Sequence, residues 1–117
     1  EKISIVPAFL ELIAQNKLGA YVSDSASWFD LGSRSSYFDA HELLRSECQP
    51  IHEKAMIDPS AEICVESCVI GDNARIGKNV KLKNTIIWPN AKVADNTDLT
   101  DCIVRHEASG VHTGKDL

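Results

Sequence analysis

A chain of 117 residues that is 44% hydrophobic and 25% charged has the composition of a folded globular protein, which excludes disordered and fibrous classes. Its net charge of −5 and 6% aromatic content exclude a basic, aromatic-lined nucleic-acid surface. No apolar run approaches the ~18 residues of a membrane span and no charged-then-apolar leader opens the sequence, so neither a membrane nor a nucleic acid is expected as a partner and the cytoplasm is the expected compartment.

The first predicted element, over residues 4–18, is a helix. Ser4 suits its N-cap, Pro7 falls in the first turn, and Ile5, Phe9, Leu12 and Ile13 make an i, i+4, i+7, i+8 stripe that Gly19 ends. Residues 20–29 read as short extended strands, Tyr21-Val22 and Trp28-Phe29, around a polar turn at 23–27. A second helix follows Gly32. Ser33 caps it, and Tyr37, Ala40, His41 and Leu44 share one face, where His41 reads as a packing residue. Cys48-Gln49-Pro50 breaks this helix and sets a boundary near residue 50.

Beyond the boundary the chain repeats. Ile57, Ile63, Ile70, Ile76, Leu82, Ile87, Val93 and Leu99 fall about six apart, a spacing that fits neither a helical stripe nor a strictly alternating strand. It predicts very short strands joined by corners, three to a coil, each pointing one aliphatic residue inward. A longer phrase has a period of 17: Val65-Glu66-Ser67-Cys68-Val69-Ile70, Leu82-Lys83-Asn84-Thr85-Ile86-Ile87 and Leu99-Thr100-Asp101-Cys102-Ile103-Val104. The corners are assigned to Gly71, Gly77, Asp72, Asn73, Asn79, Pro89, Asn90, Asp95 and Asn96, because Gly, Asn and Asp tolerate left-handed backbone angles and Pro presets a turn. The fold class is therefore mainly β: a parallel β-helix of about three coils, preceded by a small α/β segment of two helices and short strands.

Cys48, Cys64, Cys68 and Cys102 lack the spacing of a zinc site, and His41, His52, His106 and His112 do not complete one. Cys68, Thr85 and Cys102 occupy the same place in successive repeats and are expected to stack as a structural ladder of small side chains. Reduced thiols suit the expected compartment.

Trp28-Phe29-Asp30-Leu31-Gly32-Ser33, followed by a helix with Tyr37 and Ala40-His41-Glu42-Leu43-Leu44, resembles the end of the catalytic domain in sugar-1-phosphate nucleotidyltransferases. Members similar to mannose-1-phosphate guanylyltransferases carry a left-handed β-helix of hexapeptide repeats directly afterwards, so the resemblance covers most of the chain. It implies left-handed coiling, which spacing cannot decide. It also implies that Asp30 holds the catalytic Mg²⁺ of a parent enzyme, with Trp28 and Gly32 lining the substrate site. A hard cation beside phosphates wants a carboxylate oxygen. The family's glycine-rich phosphate loop, its lysine and its second metal-binding aspartate have no counterpart among these residues. The expectation is a C-terminal portion of a longer enzyme, without catalytic residues or bound cofactor of its own and lacking its N-terminal catalytic domain.

The expected divisions are 1–49 for the end of the catalytic domain, 50–106 for the β-helix and 107–117 for a loose tail. Open strand edges and an apolar end after the last coil predict self-association as a dimer or trimer. Trp88, at a corner where the preceding repeat has Gly71, is expected at an interface or packed on the first segment. The alternative is a standalone hexapeptide-repeat protein of the acyltransferase type, with His106 or His112 reaching a neighbouring subunit.

Overall fold

The computed structural model describes residues 4–24 and 26–117. Ser25, inside the expected polar turn, and residues 1–3 of the first expected division lie outside the described residues. Helix α1 spans Val6–Ala14, with Pro7 in its first turn and Ile5 at the N-cap. Ser4, expected as the cap, instead accepts a bond from the Val6 N–H at 3.3 Å. The helix stops short of Gly19 because Asn16 turns left-handed, with φ 53°. The Asn16 N–H then donates to Ile13 at 3.0 Å and the Lys17 N–H to Leu12 at 2.9 Å, the two bonds of a Schellman cap.

No described residue between the helices joins a β-ladder. Helix α2, Arg34–Leu44, starts where the sequence predicts. The Ser33 hydroxyl accepts from the Ser36 N–H at 3.1 Å and the Ser36 hydroxyl accepts from the Ser33 N–H at 3.2 Å, a reciprocal capping box.

The remainder is a left-handed β-solenoid with hexapeptide-like repeats. Its first coil holds β1 (Met56–Ile57), β2 (Glu62–Ile63) and β3 (Val69–Ile70). The second holds β4 (Arg75–Ile76), β5 (Lys81–Lys83) and β6 (Ile86–Ile87), and the third β7 (Lys92–Val93), β8 (Asp98–Thr100) and β9 (Ile103–Val104). Residues 107–117, expected as a loose tail, instead add β10 (Glu107–Ala108), β11 (Val111–Thr113) and a bridge from Asp116 to Ile103. They make a shortened coil, since Ile103 meets a partner 13 residues on, whereas Ile86 meets Ile103 at 17. Gly110 at φ 83° and Gly114 at φ 66° turn its tightened corners.

All ladders are parallel, and the three faces read β1-β4-β7-β10, β2-β5-β8-β11 and β3-β6-β9. Stacked inward are Ile70, Ile76, Leu82, Ile87, Val93, Leu99 and Val104, all buried. Each contributes about 1.5–3 kcal/mol as a fully buried side chain.

The phrase beginning at Val65 does not keep its period throughout. Leu82 pairs with Ile63, 19 residues earlier, while Ile87 pairs with Ile70, 17 earlier. Two extra residues between β2 and β3 absorb the difference, so Val65 lies in a corner, half exposed, instead of stacking under Leu82.

Corner chemistry is also redistributed. Asn73, Asn79, Asn84, Asn90, Asn96 and Asp101 all have φ between 44° and 63°. Gly71 and Gly77, expected as left-handed corners, do not have positive φ. They permit close approach of the next coil: a Cβ on Gly71 would stand 2.6 Å from Pro89 N, and one on Gly77 2.8 Å from Asp95 N.

Two faces present charge outward, through Arg75 and Lys92 on one and Glu62, Lys81 and Lys83 on the other. The third presents Val69, Ile86 and Ile103, the latter two buried. Helix α2 covers this side and is anchored at both ends. Arg45 donates to Val65 O at 2.9 Å and Cys68 O at 3.2 Å, and Arg34 donates to Asp101 O two coils away.

Candidate functional site

Of the Trp28–Ser33 motif in the loop that enters α2, Leu31, Gly32 and Ser33 reach the solenoid, while Trp28 and Asp30 do not. Asp30 is exposed, and its Oδ1 accepts the Gly32 N–H at 3.0 Å, so it closes a tight turn before the Ser33 cap. A Cβ on Gly32 would lie 3.1 Å from that same oxygen. Trp28 is 83% exposed. Among the described residues no three His, Cys, Asp or Glu side chains are grouped so as to hold a metal ion. The turn therefore offers one carboxylate, with Oδ2 outside the turn hydrogen bond.

The next residues of the chain line a cavity of about 250 Å³ with the third face and the final coil. Leu31, Gly32, Arg34 and Tyr37 form one wall, and Trp88, Ile103, Arg105 and Asp116 the other. Arg34 Nε donates to Asp116 Oδ1 at 2.8 Å, and Arg105 Nη2 donates to Asp116 Oδ2 at 3.2 Å. The Arg105 guanidinium also lies over the Trp88 ring, 5.5 Å from its centroid. Trp88, 38% exposed, therefore faces the first segment of its own chain across this cavity. Sequence reasoning missed Arg34, Arg105 and Asp116. Their separation along the chain hides them, and the legible clue was the outward aliphatic row Val69, Ile86 and Ile103, which asks for a covering element.

Cys68, Thr85 and Cys102 each have 0% exposure, immediately before β3, β6 and β9. The Thr85 hydroxyl donates to Lys83 O at 2.8 Å, and the Cys102 thiol lies 3.2 Å from Thr100 O. Burial pushes the Cys68 thiol above its ordinary 9.0, the opposite of what a nucleophile requires. All four cysteines are free.

A broad, open groove follows the outer face of β1-β4-β7-β10, with Arg75, Lys78 and Lys92 facing Asp58, Asp95 and Glu107 and without histidine or cysteine in its lining. Of the two late histidines, His106 is exposed and His112 takes the inward place of β11, in register with Leu99. The His112 Nε2 lies 2.8 Å from Ser109 O, so its ring is engaged within its own coil.

No helix among the described residues is long and apolar enough to cross a membrane. No protein-family model, curated protein or solved structure matches this chain significantly.

Proposed function

We propose that this chain is the C-terminal part of a sugar-1-phosphate nucleotidyltransferase, in which the solenoid is an assembly and regulatory module and the phosphate-binding chemistry is supplied by a preceding catalytic domain. The observation that carries this reading is the contrast between the two ends of the molecule. The second and third coils bury their inward rows, whereas α1 buries no residue and with its N-cap presents Ile5, Val6, Phe9, Leu10 and Ile13, each at least 43% exposed, and Tyr21, Val22 and Trp28 are exposed as well. An apolar surface on that scale is what a packing partner normally covers. The Trp28-to-Ser33 motif at the junction, read by resemblance, gives the partner its chemistry.

In the parent enzyme Asp30 would hold Mg²⁺ through its second oxygen, and the ion would neutralise phosphate charge there. A single exposed carboxylate fits a cation that takes most of its ligands from water and substrate phosphates. Trp28 and Gly32 would border the sugar phosphate. The solenoid would associate as a dimer or trimer.

Two measurements test this. Sedimentation velocity at micromolar concentration is expected to show a dimer or trimer, and a monomer overturns the assembly role. The chain alone is expected to release no pyrophosphate from a nucleoside triphosphate and a sugar 1-phosphate. Release at an enzymatic rate would refute the division of labour, and micromolar acyl-CoA binding would favour a hexapeptide-repeat acyltransferase instead.

A further inference from the structure

The cavity beneath the start of α2 is small, cationic and already occupied by an acid of this chain. One carboxylate, that of Asp116, bridges two guanidiniums from distant segments, one oxygen to each. Arg34 is held in place by a further bond to Asp101 O, and Arg105 by the Trp88 ring. Counting the three side chains, the cluster carries one net positive charge in a molecule whose total is −5. The remaining donors, Arg105 Nε and Nη1 and Arg34 Nη1, have no hydrogen-bond partner among the described residues. A planar guanidinium pair with spare donors matches a phosphate group better than a single carboxylate, because phosphate offers more acceptor oxygens and more charge.

Size narrows the ligand. At about 250 Å³ the cavity falls below the ~300–1,000 Å³ of sites that enclose drug-sized ligands. Inorganic phosphate or a phosphate monoester of a few carbons fits inside it, and anything larger would extend out through its open side. Asp116 makes a single parallel bridge to Ile103: the Leu117 N–H donates to Ile103 O at 2.8 Å, and Lys115 O accepts the Ile103 N–H at 2.9 Å. Displacing the carboxylate would therefore loosen the last edge of the solenoid.

We propose that Arg34 and Arg105 form a binding site for a small phosphate-bearing ligand, with Asp116 as its internal competitor, so that occupancy is coupled to release of residues 115–117. This site does not depend on the nucleotidyltransferase reading.

The test is a titration of the full chain with inorganic phosphate at pH 7, at constant ionic strength balanced with chloride, followed by amide and indole NMR. The Trp88 indole and Leu117 amide signals are expected to shift and saturate while the Trp28 indole does not. Asp116→Asn, which keeps the size of the side chain and removes its charge, is expected to tighten phosphate binding about twofold to fivefold, the range open to a half-exposed ion pair. Arg105→Gln is expected to weaken it at least tenfold. The proposal is overturned if chloride alone gives the same response, if Asp116→Asn binds phosphate no more tightly, or if Arg105→Gln binds it equally well. The two variants move affinity in opposite directions, so general loss of structure cannot imitate the pattern.

Discussion

At the scale of the residue, one position in the third coil departs from the repeat that surrounds it. Thr97 is fully buried and its Oγ1 has no hydrogen-bond partner, whereas the preceding coil places Val80, equally buried, at the same point. An unsatisfied buried hydroxyl costs about 1–3 kcal/mol, and valine has the same shape without it. Thr97→Val is expected to raise the unfolding free energy by about 1 kcal/mol in urea titration, and a loss of stability would show that the hydroxyl is bonded in solution. Asp58 illustrates the charged case. The Ser60 hydroxyl and backbone N–H donate to its Oδ1 at 2.6 and 3.0 Å and hold its carboxyl below the usual 3.8. A depressed folded pKa stabilises the fold above the unfolded value, and that contribution disappears as pH falls through the folded value. The window is thus below pH 3.8. Ser60→Ala is expected to move the Asp58 titration upward by NMR and to flatten this part of the acid limb. An unchanged midpoint would contradict the assignment.

At the scale of the element, α2 and the third face explain each other. The inward rows of all three faces were legible because one aliphatic residue recurs at intervals of about six, and the Ser33 cap was legible because its chemistry is local. The slip at Val65 was not legible: two extra residues before Cys68 preserve the period of the phrase while shifting its earlier half off the ladder. Helix α1 ends before Asn16 and not at Gly19, because Asn16, which sits inside an apparently helical stretch, is also able to turn left-handed. Arg34, Arg105 and Asp116 come together only through the coiling itself, so no spacing rule announces their cavity. The doublets Val69-Ile70, Ile86-Ile87 and Ile103-Val104 carry the signal of a face covered on both sides, which a reading by six-residue spacing alone passes over. If α2 is that cover, Ile86→Ala should cost about 2–4 kcal/mol, as truncation of a buried aliphatic does. Lys81→Ala, on a solvated face, should stay within about 0.5 kcal/mol. Equal effects in chemical denaturation would mean that α2 does not rest on the sheet in solution.

At the scale of the whole molecule, the two ends of the solenoid differ, and in the opposite sense to the apolar end expected after the last coil. Toward the C-terminus two of the three inward rows taper, since Ile76 and Val93 lead to Ala108 and Leu82 and Leu99 lead to His112, while the third ends on a partly buried Leu117. Toward the N-terminus they do not taper, and Ile51, Ile57 and Ile63 remain only partly buried at the open first coil. An unfinished aliphatic layer gains more from being covered than a small or polar one, at about 25 cal/mol per Å² of apolar surface removed from water. Self-association through the solenoid is therefore expected to use the first coil. Ile57→Lys places a charge in that layer, while Val111→Lys places one on the exposed outer side of the last coil. In sedimentation velocity, Ile57→Lys is expected to shift the population to monomer and Val111→Lys to leave it unchanged. Dissociation by Val111→Lys alone would move the interface to the other end of the molecule.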